Sequence, residues 1–187
     1  MFIQTEQTPN PASLKFLPGC EVMVSGTAEF TEAVKAHVSP LAEQLFKIDG
    51  VTGVFLGADF VTVSKNDSVS WPQLKPLVLG VIMEHFTTGR PVMKDEHLHT
   101  ATQSSSAAEG DSDVVRQIKE LLDTRVRPMV AMDGGDIVFH SFEDGVVYLT
   151  MRGACAGCPS STATLKTGIE NLLKHFVPEV TEVRAVN

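Results

Sequence analysis

The residues best suited to chemistry are two cysteines, Cys155 and Cys158, which stand three positions apart among glycines and alanines. Pro159 follows directly, and proline favours the first turn of a helix, so the pair lies at a predicted helix amino terminus. Backbone N–H groups and the positive end of the helix dipole stabilise thiolates there. Two thiolates on one loop bind only one side of a soft metal centre, and a four-thiolate centre needs a second loop. The spacing therefore favours a dimer that shares its cofactor.

Three chemical interpretations of this loop compete when only its residues are considered. A buried structural pair is disfavoured by the short spacing and the surrounding glycines. A dithiol/disulfide redox pair has the right geometry, although the preceding strand is predicted in a hairpin and not in the βαβ pattern of a thioredoxin-like fold. Half of a metal site also fits, and the spacing does not separate a zinc ion from an iron–sulfur cluster.

The elements around the loop follow from the spacing of apolar residues. A helix is predicted from about residue 113 to 126, and Pro128 is expected to kink or end it. Residues 137–142 and 146–151 flank Glu143-Asp144-Gly145 and predict a β-hairpin. A helix over 159–176 and a final strand within 180–186 follow. The predicted order is α-β-β-(CxxC loop)-α-β.

The preceding part of the chain predicts a second small α+β domain with an antiparallel sheet. Strands are expected at 13–17, 22–24, 51–56 and 60–64, and helices at 40–46 and 71–86. Residues 97–112 lose this periodicity and predict a flexible linker, in which His97 and His99 are expected to be solvated. The predicted domains are therefore 1–96 and 113–187, joined by the linker 97–112.

Composition excludes several classes of protein. The 187 residues are 43% apolar and carry a net charge of −8 without a cluster of Lys or Arg, so neither disorder nor nucleic-acid binding is expected. The apolar runs are shorter than the ~20 residues of a membrane helix. The first residues, Met1 to Glu6, show no basic or amphipathic targeting pattern, and three cysteines do not form a disulfide framework. These features predict a cytoplasmic protein.

Several stretches together resemble a known family. The carboxy-terminal ones resemble the C-terminal domain of NifU, and the amino-terminal ones resemble the amino-terminal domain of the Nfu family. They are Asp133-Gly134-Gly135-Asp136-Ile137, Gly153 to Ser161, Leu165 to Glu170, Thr8-Pro9-Asn10-Pro11, Ser13 to Phe16, Ser39 to Ala42, and Trp71 with Leu74-Lys75-Pro76.

This resemblance implies a scaffold or carrier without enzymatic turnover. Cys155 and Cys158 of each subunit would bind a [4Fe-4S] cluster between the two subunits of a homodimer. The cluster would come from an upstream assembly scaffold and pass to apo-proteins, while the first domain recognises the targets. A thiol–disulfide oxidoreductase and a structural zinc-bridged dimer are the alternatives.

Other residues are expected to take no part in the chemistry. Cys20 lies outside the motif, so no part in cluster binding is expected of it. Asp133 and Asp136 are expected to shape a turn, and Met129 and Met132 to serve as packing.

Overall fold

The computed structural model describes residues 1–94, 112–156 and 159–186, with only the backbone described at 159–161. The chain divides into two compact units, Met1–Gln103 and Ser104–Asn187. Each contains a small sheet and helices, which confirms the predicted α+β class with two small domains. Most of the predicted linker, with His97 and His99, lies outside the described residues, so the limits 1–96, 97–112 and 113–187 stay predictions.

The amino-terminal unit is built on a five-stranded antiparallel sheet in the order β1-β2-β5-β4-β3. Its strands are β1 Gln4–Gln7, β2 Ser13–Leu17, β3 Ala28–Phe30, β4 Val51–Leu56 and β5 Val61–Lys65. Its helices are a 3-10 turn Lys35–Val38, α1 Pro40–Phe46 and α2 Trp71–Thr87. Side chains of α1 and α2, among them Leu41, Leu45, Val78 and Ile82, pack with Phe16 of β2 in one core.

Ser39 begins α1 as the sequence predicts. Its hydroxyl accepts a hydrogen bond from the Ala42 N–H at 3.2 Å and donates one to the Val92 carbonyl at 2.6 Å. Pro40 occupies the first turn, where its missing N–H costs nothing.

The prediction of a strand at 22–24 is wrong. The N–H groups of Val22 and Met23 both donate to the Ala58 carbonyl, at 2.7 and 3.2 Å, and this places the segment in a loop. Strands β1 and β3 were not predicted. The sequence of β1 is Gln-Thr-Glu-Gln, which has no apolar alternation, so only its pairing with β2 reveals it as a strand.

The carboxy-terminal unit has the predicted α-β-β-α-β order. Its elements are α3 Asp113–Leu121, a π-helical turn Leu122–Val126, α4 Arg127–Met132, β6 Gly135–Glu143, β7 Val146–Gly153, α5 Pro159–Phe176 and β8 Glu182–Val186. Strands β6 and β7 form the predicted antiparallel hairpin, in which Asp144 and Gly145 take positive φ. No helix within the described ranges is long and apolar enough to cross a bilayer.

Strand β8 pairs with β7 in parallel, so β7, α5 and β8 form a βαβ unit. The sequence argument against a redox dithiol was that β7 belongs to a hairpin and not to such a unit. That argument is wrong, because β7 is the central strand and takes part in both pairings.

Pro128 does not end its helix. It lies in the first turn of α4, directly after the π-helical turn, and this wider turn removes the clash with the carbonyl four residues earlier. Four residues of a regular α-helix rotate about 40° beyond one turn. The wider turn therefore keeps a set of residues spaced by four in one core: Ile118, Leu122, Val126 and Val130.

Met129 and Met132 were expected to serve as packing, and their exposure shows that this is wrong. Val130 takes the inward position on α4, which leaves Met129 55% and Met132 74% exposed.

Candidate metal centre at the cysteine loop

Cys155 lies in the turn that follows β7 and belongs to the core of the carboxy-terminal unit. Only 5% of the residue is exposed, and it packs with the cluster that contains Ile137, Met151 and Ile169. Cys158 lies outside the described residues. The structure therefore places one member of the predicted pair, and it places that residue deeper than an exposed loop would.

Three hydrogen bonds position the turn that carries Cys155. The Ala154 N–H donates to the Gly134 carbonyl at 3.2 Å, and the Ala156 N–H donates to the Gly153 carbonyl at 3.1 Å. The Thr162 hydroxyl, on the first part of α5, donates to the Cys155 carbonyl at 3.3 Å. The turn is thus attached to the start of β6 on one side and to α5 on the other.

Gly135 is required by the close approach of Cys155. A Cβ at position 135 would lie 2.6 Å from the Cys155 sulfur and 2.7 Å from the Arg152 carbonyl oxygen. Position 134 requires glycine for a different reason, because its φ of 79° is one that other residues rarely adopt. The two glycines of the Asp-Gly-Gly-Asp stretch therefore serve separate purposes, and the second one sets the position of the cysteine.

Asp136, the next residue, forms an ion pair that the sequence did not predict. Both carboxylate oxygens accept hydrogen bonds from the Arg127 guanidinium at 2.9 Å, and Arg127 also donates to Asp123 at 3.2 Å. Asp136 is only 3% exposed. Its hydrogen bond raises the pKa of Arg127 above the ordinary value, against the opposing effect of burial. The pair ties the beginning of α4 to the beginning of β6, beside Gly135.

The predicted turn at 133–136 forms only in part. The Arg127–Asp136 ion pair was not predicted because its residues are distant in sequence. The turn occupies residues 133 and 134, and β6 begins at Gly135. Arg127 and Asp136 are nine positions apart and meet only because α4 reverses into β6. The one sequence signal was an acidic residue at the start of an apolar strand.

The chemistry of the donor set fits a soft metal centre. Thiolate sulfur binds zinc and iron–sulfur clusters. The small side chains of Gly153, Ala154 and Ala156 leave room for a bulky metal centre to approach the backbone beside the sulfur. Within the described residues, no three His, Cys, Asp or Glu side chains gather as a metal-binding group.

Cys20 lies in the amino-terminal unit, directly after Gly19, whose φ is 77°. It is half-buried, and burial raises the pKa of its thiol. A thiol with a raised pKa is a poorer metal ligand at neutral pH.

Two family descriptions match successive parts of the chain. The one described as "Scaffold protein Nfu/NifU N terminal" matches residues 3–89, and the one described as "NifU-like domain" matches residues 118–184. The chain belongs to the Nfu family. The second match contains Gly135, Cys155 and Cys158, so the loop described above lies inside the NifU-like domain.

Curated relatives extend this family match along the whole chain. The chain is 52% identical over 187 residues to proteins of Drosophila sechellia and Drosophila simulans, each named "NFU1 iron-sulfur cluster scaffold homolog, mitochondrial". The match covers 100% of this chain and 65% of each relative, so the chain spans slightly less than two-thirds of their length.

The predicted cytoplasmic location is contradicted by these relatives, which are named as mitochondrial proteins. The prediction rested on the first six residues and on the small, odd number of cysteines. The start of a chain that spans 65% of its relatives is no test for a targeting segment.

Solved structures show partial similarity. A NifU-like protein from Saccharomyces cerevisiae, determined by NMR, is 28% identical, with a TM-score of 0.46 over 51% of this chain and 86% of that chain. A crystal structure of a Staphylococcus aureus protein is 23% identical, with a TM-score of 0.39 over 44% of this chain and 99% of that one.

Proposed function

We propose that this protein is a scaffold and carrier of iron–sulfur clusters, that it holds a cluster through Cys155 and Cys158, and that it is not an enzyme. The observation that carries the proposal is the position of Cys155, locked against Gly135 at the end of β7 inside a NifU-like domain. Relatives named as iron–sulfur cluster scaffolds match the same chain along its full length, which supports the same role.

The cluster is a [4Fe-4S] cluster shared between two copies of the chain. Such a cluster takes four cysteine thiolates, and the motif supplies two per chain. The other two come from the same loop of a second copy. Homodimer formation is thus part of cluster binding, and the loaded dimer is the form that delivers clusters to apo-proteins after receiving them from an upstream assembly scaffold.

The burial of Cys155 has a consequence for loading. A sulfur that is covered by apolar side chains is protected from solvent oxidants, and it must gain exposure before it can bind iron. We therefore expect the turn at 154–156 to open when a cluster binds. The Asp136–Arg127 pair holds the start of β6, including Gly135, in place. After the cluster leaves, the turn can therefore pack against the same residues again.

Reconstitution tests the proposal directly. The protein is incubated anaerobically with iron, sulfide and thiol, desalted, and examined by light scattering, absorption spectroscopy and analysis of iron and sulfide. The expected product is a brown dimer with about two irons and two sulfides per chain. A loaded monomer with four irons would contradict the shared cluster, and a colourless zinc dimer would contradict the cluster itself. Transfer is checked by mixing loaded protein with an apo-protein that regains activity on receiving a [4Fe-4S] cluster.

A thiol–disulfide oxidoreductase is a second candidate, favoured by the βαβ unit that β7, α5 and β8 form around the cysteine loop. Burial of Cys155 is evidence against it, because reactive thiols of such enzymes are partly exposed. Reduction of insulin disulfides by the metal-free protein, abolished in both single cysteine variants, would support this candidate over the carrier.

A further inference from the structure

The amino-terminal unit contains a groove between β1 and the beginning of α2. Its volume is about 610 Å³, within the range of roughly 300–1,000 Å³ typical of ligand sites. The lining includes polar side chains of β1, the prolines of the following loop and two residues of α2: Thr5, Gln7, Pro9, Pro11, Trp71 and Lys75. These residues lie in stretches that carry the family resemblance or next to them, and cluster binding uses none of them.

The groove is a fixed feature because its two sides are connected. The Trp71 indole N–H donates to the Pro11 carbonyl at 3.0 Å, and the Trp71 ring lies 6.5 Å from the Phe16 ring, centroid to centroid. Phe16 pairs with Thr5 of β1, so Thr5 and Gln7, two positions apart on one strand, point to the same side as Trp71. The tryptophan, the prolines and the polar side chains of β1 therefore form one surface.

The charge of this surface is opposite to that of the protein. The chain has a net charge of −8, yet the described lining of the groove holds one cation, Lys75, and no Asp or Glu. Among the described residues, the Lys75 ammonium forms no ion pair or hydrogen bond, and the side chains of Thr5 and Gln7 form no hydrogen bond. Lys75 can therefore pair with a carboxylate of a ligand, and Thr5 and Gln7 can hydrogen-bond to its peptide groups. The Trp71 ring beside them offers an apolar contact.

We propose that this groove binds an extended acidic peptide segment of a partner protein. A carboxylate of the peptide pairs with Lys75, its backbone amides hydrogen-bond to Thr5 and Gln7, and an apolar side chain packs between Trp71 and the prolines. One cation does not suit a nucleic acid or a lipid phosphate surface, whose binding requires several. The site is independent of the cysteine loop, and it gives the first unit a binding activity of its own.

The test begins with selection of peptides from a displayed library of random octapeptides on the full chain. The expected result is enrichment of Asp and Glu beside an apolar residue. The most enriched sequence is then synthesised and titrated, with tryptophan fluorescence as the readout. Trp71 is the single tryptophan of the chain, so a change in emission reports on the groove.

Charge variants give the decisive comparison. Lys75→Glu should weaken binding of the synthetic peptide at least fivefold at low salt and should shift the selection toward Lys and Arg. Lys47→Glu makes the same charge change on an exposed residue outside the groove, and it should bind like the wild type. Gln7→Ala should weaken binding by a smaller factor, while Cys155→Ala should leave it unchanged.

Three results would overturn the proposal: a selection without acidic enrichment, a peptide that leaves Trp71 emission unchanged, or equal binding by the wild type and Lys75→Glu. Loss of cluster binding in the same protein samples has no bearing on these outcomes. The groove and the cluster site therefore stand or fall separately.

Discussion

The sulfur of Cys155 rests against the α-carbon of Gly135, so closely that a methyl group added there would lie 2.6 Å from it. The same methyl group would lie 2.7 Å from the Arg152 carbonyl oxygen, which belongs to the backbone and has little freedom to move. The position of the proposed ligand is therefore set from the neighbouring strand, twenty residues earlier in the chain.

Gly135→Ala should destabilise the carboxy-terminal unit by about 1–3 kcal/mol, because β6 must move away from both contacts. It should also lower the amount of cluster bound on reconstitution, since Cys155 is displaced. Urea unfolding followed by circular dichroism gives the first quantity, and iron content after desalting gives the second.

Gly168→Ala is the matched control for this variant. Gly168 lies in α5, and a Cβ there meets nothing within 4 Å. This alanine should stabilise the protein by about 0.5–1 kcal/mol through helix propensity and leave cluster content unchanged. Equal behaviour of the two variants would show that contact with Cys155 is irrelevant.

Cys155→Ala and Cys155→Ser should both lose stable cluster binding, yet they should differ in stability. The serine variant places a hydroxyl among apolar side chains and should cost about 1–3 kcal/mol, while alanine introduces no polar group. Thermal unfolding of the metal-free variants measures the difference.

Cys20→Ser serves as the comparison for the cysteine variants. It should retain the cluster at the wild-type iron content, because Cys20 lies in the other unit and outside the motif. A cluster retained by Cys155→Ala, or lost by Cys20→Ser, would contradict the ligand assignment.

Asp136→Asn should destabilise the carboxy-terminal unit by about 2–4 kcal/mol, because it breaks a buried pair and leaves Asp123 as the carboxylate partner of Arg127 among the described residues. Arg116→Gln, which removes an exposed pair with Asp113, should have little effect. Chemical unfolding of both variants tests this contrast. Similar stabilities would mean that the Arg127–Asp136 pair contributes no more than a surface pair.

His85 should make the amino-terminal unit less stable in acid. It is 3% exposed, its Nε2 atom has no hydrogen-bond partner among the described residues, and burial, followed by the charge of Arg90, lowers its pKa. The unfolded chain therefore takes up the proton first, near the ordinary value of about 6.5. The contribution of neutral His85 to the free energy of unfolding is therefore complete above that pH. It is lost as the pH falls from there toward the lower pKa of His85 in the folded protein.

The measurement for His85 is the urea midpoint of Trp71 emission between about pH 7.5 and 5, a range that spans the ordinary histidine pKa. His85→Leu should reduce the loss of stability across this range, while His37→Gln, at an exposed position, should not. A pH dependence that is unchanged by His85→Leu would assign it to other groups.

The regular elements of the chain follow from local chemistry, and the sequence identified most of them. Ser39 and Pro40 marked the start of α1, and Asp144-Gly145 marked the hairpin, because caps and turns depend on a few adjacent residues. The polar strand β1 was not predicted, because it is recognised as a strand only by its pairing with β2. Pro128 was expected to kink or end its helix, and a π-helical turn that has no signal in the sequence accommodates it.

The sequence by itself determined the identity and spacing of the two cysteines, and with them the number of thiolates that one chain offers. Only the tertiary structure decided that Cys155 is buried, that Gly135 and the Arg127–Asp136 pair support its loop, and that Trp71, Lys75 and β1 meet in one groove. The reason is physical. Donor chemistry belongs to single residues, whereas burial, ion pairing and grooves arise between residues that are distant in sequence and adjacent only after folding.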